Sequence, residues 1–265
     1  MRLDELDHDA LQGLLTTATF GRPLYILPQT VSTNDEVKRL ALQDAPEGVV
    51  VLAETQTGGR GRQGRRFASP PGVGIYLSIL LRPSVDVGKL PQLTLMAGVA
   101  AAEAVAERTA LPIRLKWPND LEIQGKKIGG ILTEALLRPG SSPAVILGIG
   151  INVNTPLDQF PLDLQPYVTS LALAAKRCRL PRLPLIASLL GHLESLYATF
   201  QTAGMSPIIE RWLHFGPILG RRIRYEHDTT PRFGTVLGLD EDGALEVECE
   251  NGTHERVIAG TVIFI

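Results

Sequence analysis

The chain contains, directly after a short apolar run, the stretch Glu54-Thr55-Gln56-Thr57-Gly58-Gly59-Arg60-Gly61-Arg62-Gln63-Gly64-Arg65-Arg66-Phe67. The apolar run, Val49 to Ala53, predicts a buried strand. Residues 58–67, the arginine–glycine loop, hold four glycines and four arginines, a composition that no packed core can use. Glycine lets the backbone approach a ligand closely, and arginine supplies forked donors that match carboxylate and phosphate oxygens. The stretch therefore predicts an anion-binding loop at the end of a buried strand.

Other interpretations of this loop stay open from its residues alone. The loop lacks the Gly-Lys-Ser/Thr ending of a Walker loop. A solvated flexible loop, or an Arg-Gly contact to nucleic acid, fits its composition about as well as a small-molecule site does. The net charge of the chain is −2, so it has no global basic surface for a duplex. That balance weighs against the nucleic-acid interpretation.

Length and composition predict a globular protein with one large domain and a small one. The chain has 265 residues, of which 44% are hydrophobic, so it can build a full core. Its two cysteines, Cys178 and Cys249, lie far apart and predict buried thiols in a reducing compartment. The five histidines have no metal-ligand spacing, which predicts that the chain has no transition-metal site.

The N-terminus and the hydropathy pattern predict a cytoplasmic location. Acidic residues cluster between Asp4 and Asp9, which is wrong for a signal peptide. No apolar run approaches the roughly 20 residues needed to span a bilayer. The first 22 residues predict a short helix and a connection, too short for a separate DNA-binding module.

Hydrophobic periodicity predicts alternating strands and helices up to about residue 217. The strands are expected at Leu24–Leu27, Val49–Ala53, Gly74–Leu81, from Ile113 until Pro118 halts the strand, Leu121–Ile123, Lys126–Glu134 and Ala144–Ile151. The helices are expected at Asp35–Leu42, Pro91–Arg108, Leu185–Phe200 and Ser206–Phe215, with a fragment near Leu171–Arg177.

The composition changes after Pro217, where five short β-runs follow one another. They cover Arg222–Tyr225, Gly234–Leu239, Ala244–Cys249, His254–Ile258 and Thr261–Ile265. Asp242-Gly243 and Asn251-Gly252 are hairpin turn signals. Residues 218–265 therefore predict a small closed β-barrel, which is near the lower size limit for folding alone and should dock on the main domain.

Three further groups of residues allow either a structural or a functional interpretation. Ser32-Thr33-Asn34 precede a helix, so they could cap it or recognise a polar ligand group. Lys127 lies in an apolar strand; it could face solvent, or it could share one site with Asp120 across the hairpin. Gly148 and Gly150 leave one strand face bare, either for a crossing helix or for a flat ligand.

The set of motifs closely resembles the biotin–protein ligase family in order and spacing. The motifs in this set are Ser32-Thr33-Asn34, Gln56 with Gly59 to Arg65, Lys116-Trp117-Pro118-Asn119-Asp120, Lys127 to Leu132, and Gly148 to Asn152. These motifs span residues 25 to 155, and the β-rich tail resembles that family's C-terminal SH3-like domain. The combination of the arginine–glycine loop with the Lys-Trp-Pro-Asn-Asp run is highly specific.

The resemblance implies an α+β fold and a two-step reaction. The fold has a mixed β-sheet with helices packed on it, similar to class II aminoacyl-tRNA synthetases, over residues 1–217, and an SH3-like β-barrel over 218–265. Biotin and Mg-ATP give biotinyl-5′-adenylate and pyrophosphate. A lysine of a biotin carboxyl carrier protein, from acetyl-CoA carboxylase or a related carboxylase, then takes the biotinyl group and releases AMP. The implied cofactors are ATP and Mg²⁺, the magnesium being held largely by phosphates and water.

The resemblance also implies roles for individual residues. The biotin site corresponds to Ser32, Thr33, Asn34, Gln56, Gly59, Arg60, Gly61, Arg62, Lys127, Gly130, Gly148 and Ile151. The ATP and adenylate site corresponds to Arg62, Arg65, Phe67, Lys116, Asn119, Lys127 and Asn152. The catalytic groups are three cations and a carboxylate that orients or deprotonates the incoming lysine: Arg60, Arg62, Lys127 and Asp120. The loop from Gly59 to Arg65 is expected to be disordered when empty and to fold over the ligands.

The sequence departs from the family pattern in two places. Phe67 stands where the family often has tryptophan, which is expected to alter nucleotide affinity while keeping an aromatic ring. The N-terminal DNA-binding domain of the repressor forms has no room before residue 23, so we expect no operator binding. Lipoate ligases share the fold and chemistry, but the loop and the Lys-Trp-Pro-Asn-Asp run favour biotin. Homodimers are common in the family, and no stretch here identifies a dimer interface.

Overall fold

The computed structural model describes residues 5–83, 89–137, 143–227, 230–258, 260 and 262–265. Within these ranges the helices are α1 His8–Leu14, α2 Thr33–Leu42, α3 Leu90–Thr109, α4 Leu171–Ala174, α5 Arg182–Ala203 and α6 Ser206–Phe215. The strands are β1 Leu24–Leu27, β2 Val50–Ala53, β3 Gly74–Leu81, β4 Ile113–Lys116, β5 Asp120–Ile123, β6 Lys126–Leu136, β7 Ala144–Asn152, β8 Arg222–His227, β9 Thr230–Leu239, β10 Leu245–Cys249, β11 His254–Val257 and β12 Val262–Phe264.

Seven strands form a mixed sheet in the order β1-β2-β3-β7-β6-β5-β4. Strands β1 and β2 are parallel, and every other neighbouring pair is antiparallel. The turn between β5 and β6 uses Gln124 and Gly125, both at positive φ, as a tight two-residue hairpin requires. A register shift between Leu121 and Glu122 makes this hairpin irregular beside Lys127.

The two faces of the sheet are covered by different helices. Helices α3, α5 and α6 pack on one face and form the larger core, with residues such as Met96, Leu189 and Trp212. Helix α2 covers part of the other face through Val37 and Ala41. Successive residues of a strand point to opposite faces, so each strand contributes to both layers.

Strand β7 shows this alternation most clearly. Val145, Leu147, Ile149 and Ile151 belong to the larger core, whereas Ala144 and Ile146 pack beneath α2. Gly148 and Gly150 continue the α2 side, because a Cβ built on them would meet Asn34 of α2 and Phe67 of the arginine–glycine loop. At Gly148 and Gly150, that face of β7 therefore has no side chain, and the next residue on the same face is Asn152.

The remaining strands form a second, antiparallel sheet in the order β11-β10-β9-β8-β12. It contacts the first domain through its β9–β10 turn, where Trp117 Nε1 donates to the Gly243 carbonyl at 3.0 Å. Gln92 Nε2 also donates to the Glu241 carbonyl at 3.2 Å. The pairings found among the described residues do not join β11 to β12, so closure of the barrel stays a prediction.

The predicted α+β class, with a mixed helix-covered sheet and a C-terminal β-domain, is confirmed. Most predicted elements end within a few residues of the observed ones. Helix α2 begins at Thr33, two residues before its predicted start, and Ser32 makes no side-chain capping bond. Thr261, the first residue of the last predicted strand, lies outside the described residues.

Two smaller expectations concern the cysteines and the membrane. Cys178 is exposed and Cys249 half-buried, so the prediction of buried thiols is wrong for Cys178, which lies in the irregular segment between α4 and α5. None of the described helices is both long enough and apolar enough to cross a membrane.

Candidate active site

A cavity of about 490 Å³ opens on the α2 face of the seven-stranded sheet. Its volume lies within the range of roughly 300–1,000 Å³ that small-molecule sites occupy. Its walls come from the start of α2, the arginine–glycine loop, the β4–β5 turn, the β5–β6 hairpin and the segment 160–168. The C-terminal sheet reaches its rim at residues 260, 262 and 263.

The floor of the cavity is a row of directly paired residues that crosses the sheet. Tyr76 pairs with Gly150, Gly150 with Gly130, Gly130 with Asp120, and Asp120 with Lys116. Directly paired residues of neighbouring strands share a face, so all five lie on the cavity side. The two glycines add no side chain to the middle of the row, so the Phe67 ring can pack directly on Gly150, and the charged Asp120 and Lys116 lie at the end of the row that lines the cavity.

At one end of the cavity, buried hydroxyl and amide groups form a hydrogen-bond network. Gln56 Oε1 accepts from the Thr33 backbone N–H at 2.9 Å and from its hydroxyl at 3.2 Å. The Ser78 hydroxyl lies 2.7 Å from Thr33 Oγ1 and 2.6 Å from Asn34 Oδ1. Asn34 Nδ2 donates to Glu134 at 2.5 Å. This end of the cavity is therefore neutral, rigid and rich in both donors and acceptors.

At the other end, Lys127 and Asp120 form an ion pair across the β5–β6 hairpin. Lys127 Nζ lies 2.5 Å from Asp120 Oδ1. Gly130 lies beneath the pair, because a Cβ there would be 3.3 Å from Lys127 Nζ and 3.4 Å from Asp120 Oδ1. The sequence-based expectation that these two residues share one site is confirmed, whereas their chemical roles stay predictions.

Arg62 supplies a second cation near this pair. Its Nη1 donates to Asn119 Oδ1 at 3.2 Å, and Asn119 Nδ2 donates to the Ile131 carbonyl at 3.1 Å. Burial lowers the pKa of Arg62 from its ordinary value, although the charge of Asp120 opposes this. Because the Arg62 side chain bonds to a neutral amide, its positive charge remains available to an anionic ligand.

Arg60, two residues earlier in the loop, has different partners. Its guanidinium forms a bidentate pair with Asp35 at 2.6 and 2.7 Å, and it lies 3.6 Å from Glu134. The hydrogen bond to Asp35 raises the pKa of Arg60, and the same bond lowers the pKa of Asp35. Asp35 had no predicted role, because it precedes Arg60 by 25 residues and only the fold brings them together.

The loop itself is folded over the cavity. Arg60 and Arg66 form a short antiparallel bridge, the Gly61 N–H donates to the Arg65 carbonyl at 2.7 Å, and the Phe67 N–H donates to the Gly59 carbonyl at 2.9 Å. A 3₁₀ turn, Arg62–Gly64, forms the tip. The expectation that this loop becomes ordered only with ligand stays a prediction.

Aromatic and apolar side chains form the rest of the wall, and most of them had no predicted role. Phe67 packs over Gly150, where a Cβ would be 2.7 Å from its ring, and its ring meets Tyr76 edge-on with centroids 6.4 Å apart. Trp117, Phe160 and Tyr167 also line the cavity. The segment that carries Phe160 and Tyr167 reaches it because the Lys127 N–H donates to the Tyr167 carbonyl at 2.9 Å.

The structure brings most of the predicted site residues to this one cavity. Those that line it are Ser32, Thr33, Asn34, Gln56, Arg60, Gly61, Arg62, Arg65, Phe67, Lys116, Asn119, Asp120, Lys127, Gly130, Gly148 and Asn152. Two predictions of direct lining are wrong. Ile151 is fully buried in the core on the opposite face of β7, because it differs from Gly148 by an odd number of residues. Gly59 belongs to the loop but does not face the cavity, because it packs against the Phe67 carbonyl and the Ser69 hydroxyl.

The acidic side chains that line the cavity are few and already paired. They are Asp120, paired with Lys127, and Glu122, 3.3 Å from Lys116. Across the described part of the chain there is no group of three or more histidine, cysteine, aspartate or glutamate side chains arranged to hold a metal ion. A divalent cation bound here would therefore take most of its ligands from phosphate oxygens and water.

Comparison with known families gives two matches along the chain. Residues 26–152 match the biotin/lipoate A/B protein ligase family. Residues 218–265 match the biotin protein ligase C terminal domain. The first match covers β1 to β7 and therefore the cavity floor, and the second covers the C-terminal sheet.

Individual relatives and solved structures agree with these matches. The chain is 37% identical over 248 residues to the bifunctional ligase/repressor BirA of Bacillus subtilis, covering 94% of this chain and 76% of that protein. It is 32% identical over 252 residues to the biotin–[acetyl-CoA-carboxylase] ligase of Paracoccus denitrificans, covering 90% and 99%. Its fold resembles a biotin protein ligase from Aquifex aeolicus in complex with biotin and ATP, with a TM-score of 0.78, 29% identity, and coverage of 91% and 98%.

Proposed function

The chain belongs to the biotin protein ligase family and is an ATP-dependent enzyme that activates biotin and transfers it to protein, and we propose how its residues divide this work. The observation that carries the proposal is the order of groups that line the cavity: uncharged polar side chains at one end, the glycines Gly148, Gly150 and Gly130 along the sheet, and the cations Arg62 and Lys127 at the other end. A ligand with an uncharged polar head, an apolar body and an anionic tail fits that order. Biotin has these three parts.

Biotin binds with its ureido ring at the neutral end. The ring offers two N–H donors and a carbonyl acceptor, and Ser32, Thr33, Asn34 and Gln56 carry both kinds of complementary group. Ser32, Thr33 and Asn34 are almost completely buried. Thr33 and Asn34 are already bonded to Ser78, and Gln56 to Ser69, so little reorganisation is needed when biotin arrives. The tetrahydrothiophene ring and valeryl chain lie beside Asn34 and Phe67, which pack on Gly148 and Gly150, and a side chain at either glycine would push these residues into the ligand.

The first reaction step takes place at the cationic end. A biotin carboxylate oxygen attacks the α-phosphorus of ATP, the bond to the β-phosphate oxygen breaks, and pyrophosphate leaves. Carboxylate and phosphate repel each other, so positive charge must screen both and stabilise the transition state. Arg62 and Lys127 supply this charge. Arg65, Lys116, Asn119 and Asn152 position the nucleotide, and the aromatic walls offer flat faces to the adenine.

The second step uses the Lys127–Asp120 pair. The amine of the acceptor lysine attacks the biotinyl carbonyl, the acyl–oxygen bond breaks, and AMP leaves. Asp120 Oδ1 is engaged by Lys127, and its second oxygen accepts a hydrogen bond or proton from the attacking amine. Lys127 then faces the phosphate that departs with AMP. Mg²⁺, if held by phosphate oxygens and water, would supply further charge screening to the first step.

The wider biology follows from the family and extends the proposal. The acceptor is a biotin carboxyl carrier protein of acetyl-CoA carboxylase or a related carboxylase. Residues 1–217 form the catalytic domain, and residues 218–265 form a β-barrel that completes the rim of the cavity. The protein acts in the cytoplasm. Its ligase activity needs no specific nucleic acid, and the proposed residue roles are the same for a monomer and for a homodimer.

The experiment that tests these roles separates binding from activation. Biotin is titrated calorimetrically without and with ATP, and pyrophosphate release is followed with wild type, Lys127→Ala and Arg62→Ala. Each substitution should slow pyrophosphate release about a hundredfold or more, because it removes a preorganised charge from the transition state. Biotin binding without ATP should weaken much less, since the ureido end is unchanged.

The matched control is Glu250→Gln, which breaks an exposed Arg222–Glu250 ion pair on the C-terminal sheet, away from the residues that line the cavity. Circular dichroism melting should show that all three variants stay folded. Pyrophosphate release at the wild-type rate from both Lys127→Ala and Arg62→Ala would contradict the assigned roles.

A further inference from the structure

We propose that Asp35 is a positioning residue that keeps the arginine–glycine loop closed over the biotinyl adenylate and acts through Arg60. The inference rests on the proposed function and adds a residue to it. We call the Asp35–Arg60 ion pair the latch, because it fixes the loop to helix α2. In this proposal Arg60 holds the loop in place through the latch and does not contact phosphate.

The geometry of the pair favours a latch. Both terminal nitrogens of Arg60 bond to both carboxylate oxygens of Asp35, at 2.6 and 2.7 Å. Bidentate arginine–carboxylate pairs are stronger and more directional than single contacts. Asp35 lies in the first turn of α2, a helix packed on the sheet, while Arg60 lies in a glycine-rich loop. The pair therefore joins a rigid element to a segment that glycine makes easy to move.

The position of Arg60 within the loop extends the effect of this contact. Arg60 pairs with Arg66 across the loop, and the neighbouring Gly61 N–H donates to the Arg65 carbonyl. Holding Arg60 therefore holds both arms of the loop and the turn between them. Arg62, at that turn, reaches Asn119 on the opposite wall of the cavity. Release of Arg60 would loosen the placement of Arg62 as well.

The charge balance argues against a direct phosphate role for Arg60. Two carboxylates, Asp35 and Glu134, lie within 4 Å of its guanidinium, so the positive charge of Arg60 is already compensated and is not available to a triphosphate. Arg62 and Lys127 share one carboxylate, Asp120, so their corner keeps a net positive charge. Arg60 and Arg62 therefore serve different purposes: Arg62 meets the anion, and Arg60 closes the loop.

The latch also connects to the polar end of the cavity. Glu134, which faces Arg60, accepts a hydrogen bond from Asn34 at 2.5 Å, and Asn34 contacts Ser78. An ordered ureido site and a closed loop thus share one set of hydrogen bonds. A closed loop keeps water from the mixed anhydride. In the open state water adds to the acyl carbon, the acyl–oxygen bond breaks, and biotin and AMP form without transfer.

The experiment measures how long the adenylate stays bound. Enzyme is loaded with radiolabelled biotin and ATP, chased with unlabelled biotin, and filtered to follow loss of label. Asp35→Asn should release the adenylate about tenfold faster than wild type, because a bidentate charged pair is reduced to a neutral contact. Asp35→Glu, which keeps the charge, should restore most of the retention. Glu250→Gln serves as the control for loss of an exposed ion pair.

A double-mutant cycle shows whether Asp35 acts through Arg60. Arg60→Gln should leak as fast as Asp35→Asn, and the double variant should leak no faster than either single variant. Additive leakage in the double variant, or wild-type retention in Asp35→Asn, overturns the proposal. Pyrophosphate release is measured in parallel. If the wild-type enzyme forms no adenylate, the proposed function itself is wrong. If the Asp35→Asn variant forms the adenylate and retains it as long as wild type does, only the latch is wrong.

Discussion

Replacing Gly148 by alanine tests whether the bare strand face is part of the biotin site. The added Cβ would lie 3.0 Å from Asn34 Cγ and 3.2 Å from Asn34 Nδ2, and closer still to Oδ1. Carbon atoms in ordinary contact are about 3.5–4.0 Å from their neighbours. The Asn34 amide must therefore withdraw, and it cannot keep its present bonds to Ser78 and Glu134 while doing so.

The size of the effect follows from the hydrogen bonds involved. Asn34 is 4% exposed, and its amide would contact the ureido ring of biotin. Loss of one such contact, with a buried partner left unsatisfied, costs about 1–3 kcal/mol. That loss corresponds to a biotin Kd about fivefold to hundredfold weaker. Loss of the Ser78 bond should also lower the free energy of unfolding by about 1 kcal/mol.

Calorimetric titration with biotin measures the change, and Gly13→Ala is the matched control. Gly13 lies in α1, and a Cβ there meets nothing within 4 Å, so the same substitution adds the same methyl group without a clash. The control should bind biotin as wild type does. A Gly148→Ala variant that is folded and binds biotin within twofold of wild type would show that Asn34 does not contact the ligand.

Two further predictions concern stability and pH. Arg182 is 1% exposed and donates to Glu54, whose side chain is 18% exposed, at 2.7 and 3.1 Å. Arg182→Met should leave this partly buried carboxylate without its cation and lower the free energy of unfolding in urea by about 3 kcal/mol, the lower end of the range for buried pairs; a loss below about 1 kcal/mol would contradict this. The hydrogen bond from Arg60 lowers the pKa of Asp35 below its ordinary value of 3.8; burial opposes this shift, and the charge of Lys38 adds to it. Glu134, on β6, also faces Arg60. The contribution of Asp35 to loop closure is therefore complete above pH 3.8 and is lost only as the pH falls through the lowered pKa of Asp35. Adenylate retention should consequently be constant between about pH 6 and pH 8. A large change of retention within that window would assign the latch to another group.

Much of the fold could be predicted because its elements are strongly periodic. Strand Gly74–Leu81 was predicted with its observed bounds, and Ala144–Ile151 ends one residue early. The hairpin turn at Gln124-Gly125 could be predicted because a glycine follows the short apolar run Leu121–Ile123. Helix α5 begins three residues before its prediction, at Arg182, because that arginine is buried by its pairing with Glu54, and a charged residue gives no apolar signal.

The errors at the site have identifiable physical causes. Ile151 was assigned to the floor with Gly148, although residues three apart on a strand face opposite sides, so the Ile151 side chain lies in the core. The walls formed by Phe160 and Tyr167 come from a proline-rich segment without periodicity, and its place beside Lys127 is set by backbone hydrogen bonds. Asp35 looked like an ordinary first-turn acid, which is favourable at a helix N-terminus in any case.

The two arginines of the Arg60-Gly61-Arg62 run show why composition alone could not assign the chemistry. Both are charged at every relevant pH, both line the same cavity, and they are two residues apart. Their difference lies in their neighbours: two carboxylates lie beside Arg60, whereas Arg62 bonds to an amide and shares the charge of Asp120 with Lys127. A loop that must both close and stabilise a developing negative charge needs one arginine of each kind. Charge available for catalysis is therefore a property of the fold, because the fold decides which cation already has a counter-ion.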